Sequence, residues 1–299
     1  MLEYRYQPLD NAKRQIRLLD ILPGSGLIKC NLRTQSLPTS THGSYEALSY
    51  FWGTPSALKV ITVDGFSFSI TPNLHAALLR LRGSDSEGPR TMWIDAICID
   101  QKNLLEKNTQ IPLMRDIYSF CRRVVIWLGE HDVLTESALE GIEFMASRSR
   151  NGEQFNYYDW KKVRRGDRSQ GLLRYVPLSG QVETLMSAAT MTSFFSRPWF
   201  TRVWVVQELT LSPQAIVICG KFQIDWDRIV KADETSRTNF EHDLGTFKRF
   251  RTWPQNLSYD IFDRMMMAWQ LNATDPRDKI YGLMGLEIMP PEENLIDVD

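Results

Sequence analysis

The chain has 299 residues, 43% of them hydrophobic and 24% charged, which suits a soluble globular protein able to bury a large core in one big domain or two ordinary ones. Thirty-five basic against thirty-six acidic residues leave no global field to recruit nucleic acid or an anionic membrane, so no nucleic-acid partner is expected. The four cysteines form no CxxC, the four histidines lack metal-ligand spacing, and neither a signal peptide nor a membrane span is evident, so a reducing cytoplasmic setting and no metal site are expected.

In chain order, "YEALSYFWG" reads as a strand over 45–50 running into a Trp-Gly turn. "VITVDGFSFSI" reads as a hairpin whose Asp64-Gly65 suits a type I′ turn. Thr71 and Pro72 supply a cap and first position for a helix through "NLHAALLRLR", and "GSDSEGP" is a loop. "RTMWIDAICID", almost continuously apolar, predicts a second strand over 91–97 that is covered on both faces of a parallel sheet. A helix is expected from Asn108 or Thr109, with Pro112 in its first turn. "RRVVIWLG" gives the third buried strand, 123–128.

Residues 134–148 read as helix, and 149–181 lack periodicity and are assigned as an insertion. An apolar helix near 182–195, the stretch "RPWFTRVWVVQEL", a hairpin-like "AIVICGKFQIDW", and helices near 226–236 and 257–271 complete the pattern. Strands alternating with helices predict an α/β fold with a central, mainly parallel sheet flanked by helices on both faces.

In such sheets ligands bind beyond the carboxyl ends of the strands. That rule selects Tyr50, Trp52 and Gly53 after the first strand, Cys98, Asp100 and Gln101 after the second, and Gly129 and Glu130 after the third. Each has a plainer alternative. Tyr50 and Trp52 read as ring-stacking residues or as core, Gly53 as a tight turn or a close backbone approach, and Asp100 and Gln101 as ligand contacts or loop anchors. Asp95, amid apolar residues, must be paired or neutral if buried, with Arg90 or Arg115 as partner. Cys98 reads as a nucleophile or as a small buried hydrophobe. "TDPRDKIYGL" reads as a helix cap in which Arg277 pairs internally.

Four blocks, "ALSYFWG", "MWIDAICIDQKNLLEKNTQIPLMRDIYSFCRRVVIWLG", "RPWFTRVWVVQEL" and "TDPRDKIYGLMGL", resemble the fungal heterokaryon-incompatibility (HET) domain in type and order. They span about 45–286, so the chain 1–299 reads as a single HET domain; Asp100 stands where the family more often carries Asn. The resemblance implies a role in self/non-self recognition and cell death on hyphal fusion, with other incompatibility proteins or further copies of the chain as partners.

The HET domain is similar in turn, more distantly, to TIR domains, whose flavodoxin-like fold sometimes cleaves NAD. Extra C-terminal helices and insertions would then decorate that core. A tryptophan four residues before a catalytic glutamate, followed by leucine, matches Trp204, Glu208 and Leu209. The resemblance implies Glu208 as the catalytic carboxylate, Trp204 over its pocket and NAD as substrate, with no separate cofactor; the strand-end residues Tyr50, Trp52, Gly53, Asp100 and Gln101 are then the candidates to surround the bound nucleotide. Against this stand two other expectations: a signalling module that works by self-assembly without chemistry, and an ion pair between Glu208 and Arg202 or Arg197.

Overall fold

A computed structural model describes residues 2–37, 43–84, 86–148, 161–162, 175–176, 188–235, 261–273 and 275–286. Its centre is Glu46–Tyr50 (β3), five residues all buried, flanked in parallel by Arg90–Trp93 (β6) and Arg123–Trp127 (β7). Ala215–Cys219 (β8) extends the parallel set beyond β7, and Phe222–Asp225 (β9) turns back on it antiparallel. The continuous apolar runs at these strands follow from being covered on both faces.

On the other side of β6 the sheet changes character. Gln15–Ile21 (β1) runs antiparallel to β6 and to Lys29–Ser36 (β2), and β2 pairs with the hairpin Lys59–Val63 (β4) and Phe66–Ile70 (β5). The nine strands lie in the order β9-β8-β7-β3-β6-β1-β2-β4-β5. Four neighbouring pairs are parallel and four antiparallel, so the expected mainly parallel sheet is in fact mixed. The cause is the N-terminal β1–β2 hairpin, which joins through β6 and brings the β4–β5 hairpin with it. Renumbered among themselves, the four parallel strands run 2-1-3-4 across the sheet.

Helices cover this sheet. Pro72–Leu81 (α1) begins as expected, with Thr71 Oγ1 accepting from the Leu74 N–H, and the Asp64-Gly65 turn has positive φ at both residues as a type I′ turn requires. The strand expected through 97 stops at Trp93. Asp95–Cys98 (α2) is a single helical turn in which the Cys98 N–H bonds to the Ile94 carbonyl.

The helix expected from 108 starts earlier, at Leu104–Gln110 (α3), where Asn103 caps the Glu106 N–H. It tightens into a 3-10 turn at Ile111–Leu113 and resumes as Met114–Phe120 (α4). Pro112, lacking an N–H, falls inside the helical run and not in its first turn, and the tight turn absorbs it.

Further helices are Thr135–Arg148 (α5), Ala188–Phe195 (α6), Trp204–Leu211 (α7), Trp226–Thr235 (α8), Ile261–Ala268 (α9) and Asp278–Met284 (α10). Apart from two short strand segments, the expected insertion 149–181 lies outside the described residues, as do the starts of the helices expected from 182 and 257.

At the amino ends of the parallel strands Glu46 is 3% exposed yet carries a charge. Burial works against that charge, but Nε of Arg90 (2.5 Å) and Nε of Arg123 (2.5 Å) donate to its carboxylate and bring its pKa below the ordinary value. One carboxylate thereby ties β3, β6 and β7 together. Arg90 is spoken for here, so it is not the partner of Asp95.

Candidate functional site at the carboxyl ends of the parallel strands

At the opposite ends of the same strands the polar groups are of another kind. Ser49, next to last in β3 and 1% exposed, donates its hydroxyl to Oε2 of Glu208 and accepts from Nε1 of Trp199 at 2.7 Å. Glu208 is 3% exposed, in the middle of α7, a short helix that packs against β3 and α4. Burial pushes its carboxyl up to about 7, against the pull of Arg202 and the Ser49 hydroxyl, while Asp95 adds to the rise. Among the described residues no ion pair joins Glu208 to Arg202 or Arg197. Arg202 instead donates Nη1 to the Tyr50 carbonyl, and Arg197 holds the chain after β7 through the Leu128 and Glu130 carbonyls and Asp132.

Asp95 opens the α2 turn. Burial raises its pKa, opposed by Arg202, by a hydrogen bond from Trp52 Nε1 (2.8 Å) and by the Ala96 N–H (2.7 Å). Its partners are therefore the indole and a backbone amide, with Arg202 acting on it as the nearby cation; neither Arg90 nor Arg115 fills that role. Two carboxyls that burial disfavours as anions, Asp95 and Glu208, share the influence of one guanidinium. Burial brings Glu208 into the neutral range in which acid and base groups at working sites act.

A cleft of about 760 Å³ adjoins this cluster, lined by Tyr50, Trp52, Asp100 and Gln101 together with Tyr4, Tyr6 and Phe68. Four of the residues expected around a ligand thus share one cleft. Gln101 Nε2 also donates to the Asp95 carbonyl (2.9 Å), and Asp100 Oδ1 accepts from the Lys102 N–H (3.0 Å), so both anchor the loop as well as facing the cleft. The Tyr50 ring is buried, and its hydroxyl has no hydrogen-bond partner among the described residues.

Gly53, Trp204 and Glu208 do not line the cleft. Gly53 has φ +76° at the turn after β3, a conformation that suits glycine, and its nearest side-chain neighbour is Asn73. Trp204 turns toward α10, where a Cβ on Gly282 would stand 3.5 Å from its indole. Glu208 lies behind Ser49, next along β3 to the Tyr50 of the cleft. Cys98 is wholly buried with its thiol pushed up to about 12, which keeps it protonated. Asp275 and Arg277 pair with one another on the surface (2.6 Å).

Several contributors were not foreseen: Ser49, Trp199, and the N-terminal wall of the cleft. Arg17, buried in β1, holds Glu106 with two bonds (2.6 and 3.0 Å), the Cys98 carbonyl (2.9 Å) and the Gln7 carbonyl (2.6 Å), while the Tyr6 hydroxyl donates to the Ile97 carbonyl (2.8 Å). A buried arginine within a strand was the available signal, since such a charge demands a partner. Among the described residues, no group of three or more His, Cys, Asp or Glu side chains is placed to hold a metal ion, and no helix is long and apolar enough to cross a membrane.

Residues 45–208, more than half of the chain, match the family described as Heterokaryon incompatibility protein (HET). The chain is 28% identical over 336 aligned positions to "Heterokaryon incompatibility protein 6, OR allele" of Neurospora crassa, an alignment that covers 96% of this chain and 49% of that protein. The chain thus spans about half the length of this relative. No solved structure matches.

Proposed function

The chain belongs to the heterokaryon incompatibility (HET) family, and on that premise we propose that it is the effector part of a fungal incompatibility reaction, killing the cell by TIR-like cleavage of NAD. The carrying observation is Glu208, a buried carboxyl brought to about 7 and held by Ser49, the β3 residue that precedes the cleft residue Tyr50. The 2-1-3-4 order of the four parallel strands supports the TIR analogy, because flavodoxin-like sheets have this order and bind ligands beyond the strands' carboxyl ends.

In this reading the bond between nicotinamide and C1′ of ribose breaks, its electron pair neutralises the departing ring, and the ionised Glu208 faces the cationic ribose. Water then adds at C1′ and gives up a proton, which a carboxylate with a pKa near neutrality accepts. Because Glu208 is buried, the reading includes a shift of α7 or Tyr50 that opens the carboxylate to the cleft. The partners are NAD and other incompatibility proteins, and the setting is the cytoplasm.

A second reading, signalling by self-assembly without chemistry, is supported by a different surface. Phe262, Met266 and Trp269 recur at helical spacing on and just after α9, 71%, 73% and 65% exposed, beside the exposed Ile280, Tyr281 and Met284 of α10. The test uses the whole chain. Under the first reading, purified protein releases nicotinamide from NAD and its expression in a fungal host stops growth, with or without Phe262→Glu and Trp269→Glu. Toxicity that disappears in those two variants, from a protein that releases no nicotinamide, selects the second.

A further inference from the structure

Trp52 has an unusual environment for a surface tryptophan. It is 37% exposed in the wall of the cleft, yet its indole N–H is fixed by Asp95 Oδ2 at 2.8 Å. A carboxylate accepting from an indole N–H pushes electron density into the ring and strengthens the negative potential of its faces. A tryptophan face is the best aromatic partner for a cation. The same cleft presents Tyr50, Tyr4, Tyr6 and Phe68, the last three packed edge to face at 5.2–6.2 Å, and it offers the Asp100 carboxylate.

Two cations around the cleft are already engaged. Lys102 pairs with Glu3 (3.2 Å), and Arg17 already occupies the Tyr6 ring at 4.7 Å from its centroid. Arg5 is exposed.

We propose that the Asp95–Trp52 pair makes this cleft selective for a permanently cationic nitrogen group, a quaternary ammonium or an N-alkylated pyridinium ring, over its neutral counterpart. This rests on the reading of the cleft as the substrate site and deepens it, since the oxidised dinucleotide carries a pyridinium and the reduced one does not. Asp95 is then a positioning residue that acts through Trp52, and its charge sets the preference. The flat shape of the pyridinium matches an indole face better than a tetrahedral ammonium does, so the ring is the better ligand of the two.

The experiment is calorimetric titration of the full chain carrying Glu208→Gln, so that no turnover interferes, at pH 7.5. The probes are N-methylnicotinamide cation, neutral nicotinamide, choline, and the oxidised and reduced dinucleotides. Expected is about tenfold tighter binding of each cationic ring than of its neutral partner, with choline between them. Asp95→Asn keeps a hydrogen-bond acceptor for the indole and removes only the charge. It should erase most of that ratio while the neutral probes bind as before, and Trp52→Phe should weaken all ring probes.

Equal binding of charged and neutral rings, an unchanged ratio in Asp95→Asn, or no binding of any probe at millimolar concentration overturns the proposal. NAD cleavage by the wild-type chain without a charge preference would sink this inference alone. A charge preference in a chain that never cleaves NAD would leave it standing and remove the enzymatic reading.

Discussion

Ser49 and Glu208 are 159 residues apart in sequence and joined by one hydrogen bond, the serine hydroxyl donating to Oε2 of a carboxylate with almost no exposed surface. With no ion pair to Arg202 or Arg197, the glutamate is held by a neutral donor, which leaves its proton affinity high. A buried carboxyl kept near neutrality at the end of parallel strands is costly to maintain and gives the fold little in return.

Glu208→Gln is therefore expected to keep the fold and remove activity. Gln preserves size and can still accept from Ser49, so the melting temperature should hold or rise. Nicotinamide release should drop by about a hundredfold to a thousandfold, the usual effect of deleting one group that stabilises a charge in the transition state. Both quantities are to be read on the same samples. A variant that cleaves NAD at the wild-type rate would falsify the catalytic assignment.

The raised carboxyl also predicts how stability varies with pH. Glu208 has a higher pKa folded, about 7, than unfolded, near the ordinary value of 4.5. Between these values the native state binds the extra proton, so this group's stabilising contribution is complete below about 4.5 and is lost as pH rises through 7. The loss is on the order of 3 kcal/mol at most. Denaturant melts of wild type and Glu208→Gln at pH 5 and pH 8 should show the variant gaining on wild type at the higher pH. A difference that does not change with pH would mean that Glu208 titrates normally.

How much of this was legible in the sequence depends on where each residue's partner lies. β3 and β7 could be read because, after the charged first residue of each, Glu46 and Arg123, the remaining residues are apolar or small and both faces are covered. The end of β6 could not: "IDAIC" is as apolar in a helical turn as in a strand, and only the hydrogen bond from Cys98 to Ile94 separates the two. β1 was missed because Arg17 breaks its apolar run, and the compensating Glu106 lies 89 residues away.

The rule about strand ends brought Tyr50, Trp52, Asp100 and Gln101 to one cleft. The four-residue spacing of Trp204 and Glu208 placed both on α7, but tertiary packing gave them different neighbours, Gly282 for one and Ser49 for the other.

Ser49→Ala tests the serine as the group that keeps part of Glu208 ionised. Removing a hydrogen bond to the charged form should raise the carboxyl's pKa further, by roughly one to two pH units, since such bonds contribute about 1.5–3 kcal/mol. The side-chain carboxyl carbon of Glu208, followed by NMR through a pH titration, should move its midpoint above 7. If NAD is cleaved, the rate should rise with pH at a correspondingly higher midpoint. A midpoint that stays put, or falls, would show that the serine has no hold on the carboxylate.

Glu46→Gln should do the reverse of Glu208→Gln, harming the fold and leaving the chemistry intact. Glu46 is the buried carboxylate on which Arg90 and Arg123 converge, at the amino ends of β3, β6 and β7 and away from the cleft. Its pKa is lowered, so its contribution is present above the unfolded value, near 4.5, and is lost as pH falls through the folded one. Removing the charge leaves two arginines facing a neutral amide. Because both are about a quarter exposed, the loss should fall below that of a fully buried pair, at about 2–3 kcal/mol. Melts at pH 7 should show that deficit, and it should shrink progressively as pH falls below about 4.5 toward the lowered folded pKa. At a temperature where the variant is fully folded, ligand binding in the cleft and any nicotinamide release should equal wild type. A variant of unchanged stability would mean that the three strand ends are held by hydrogen bonding alone, whatever the charge of the group they share.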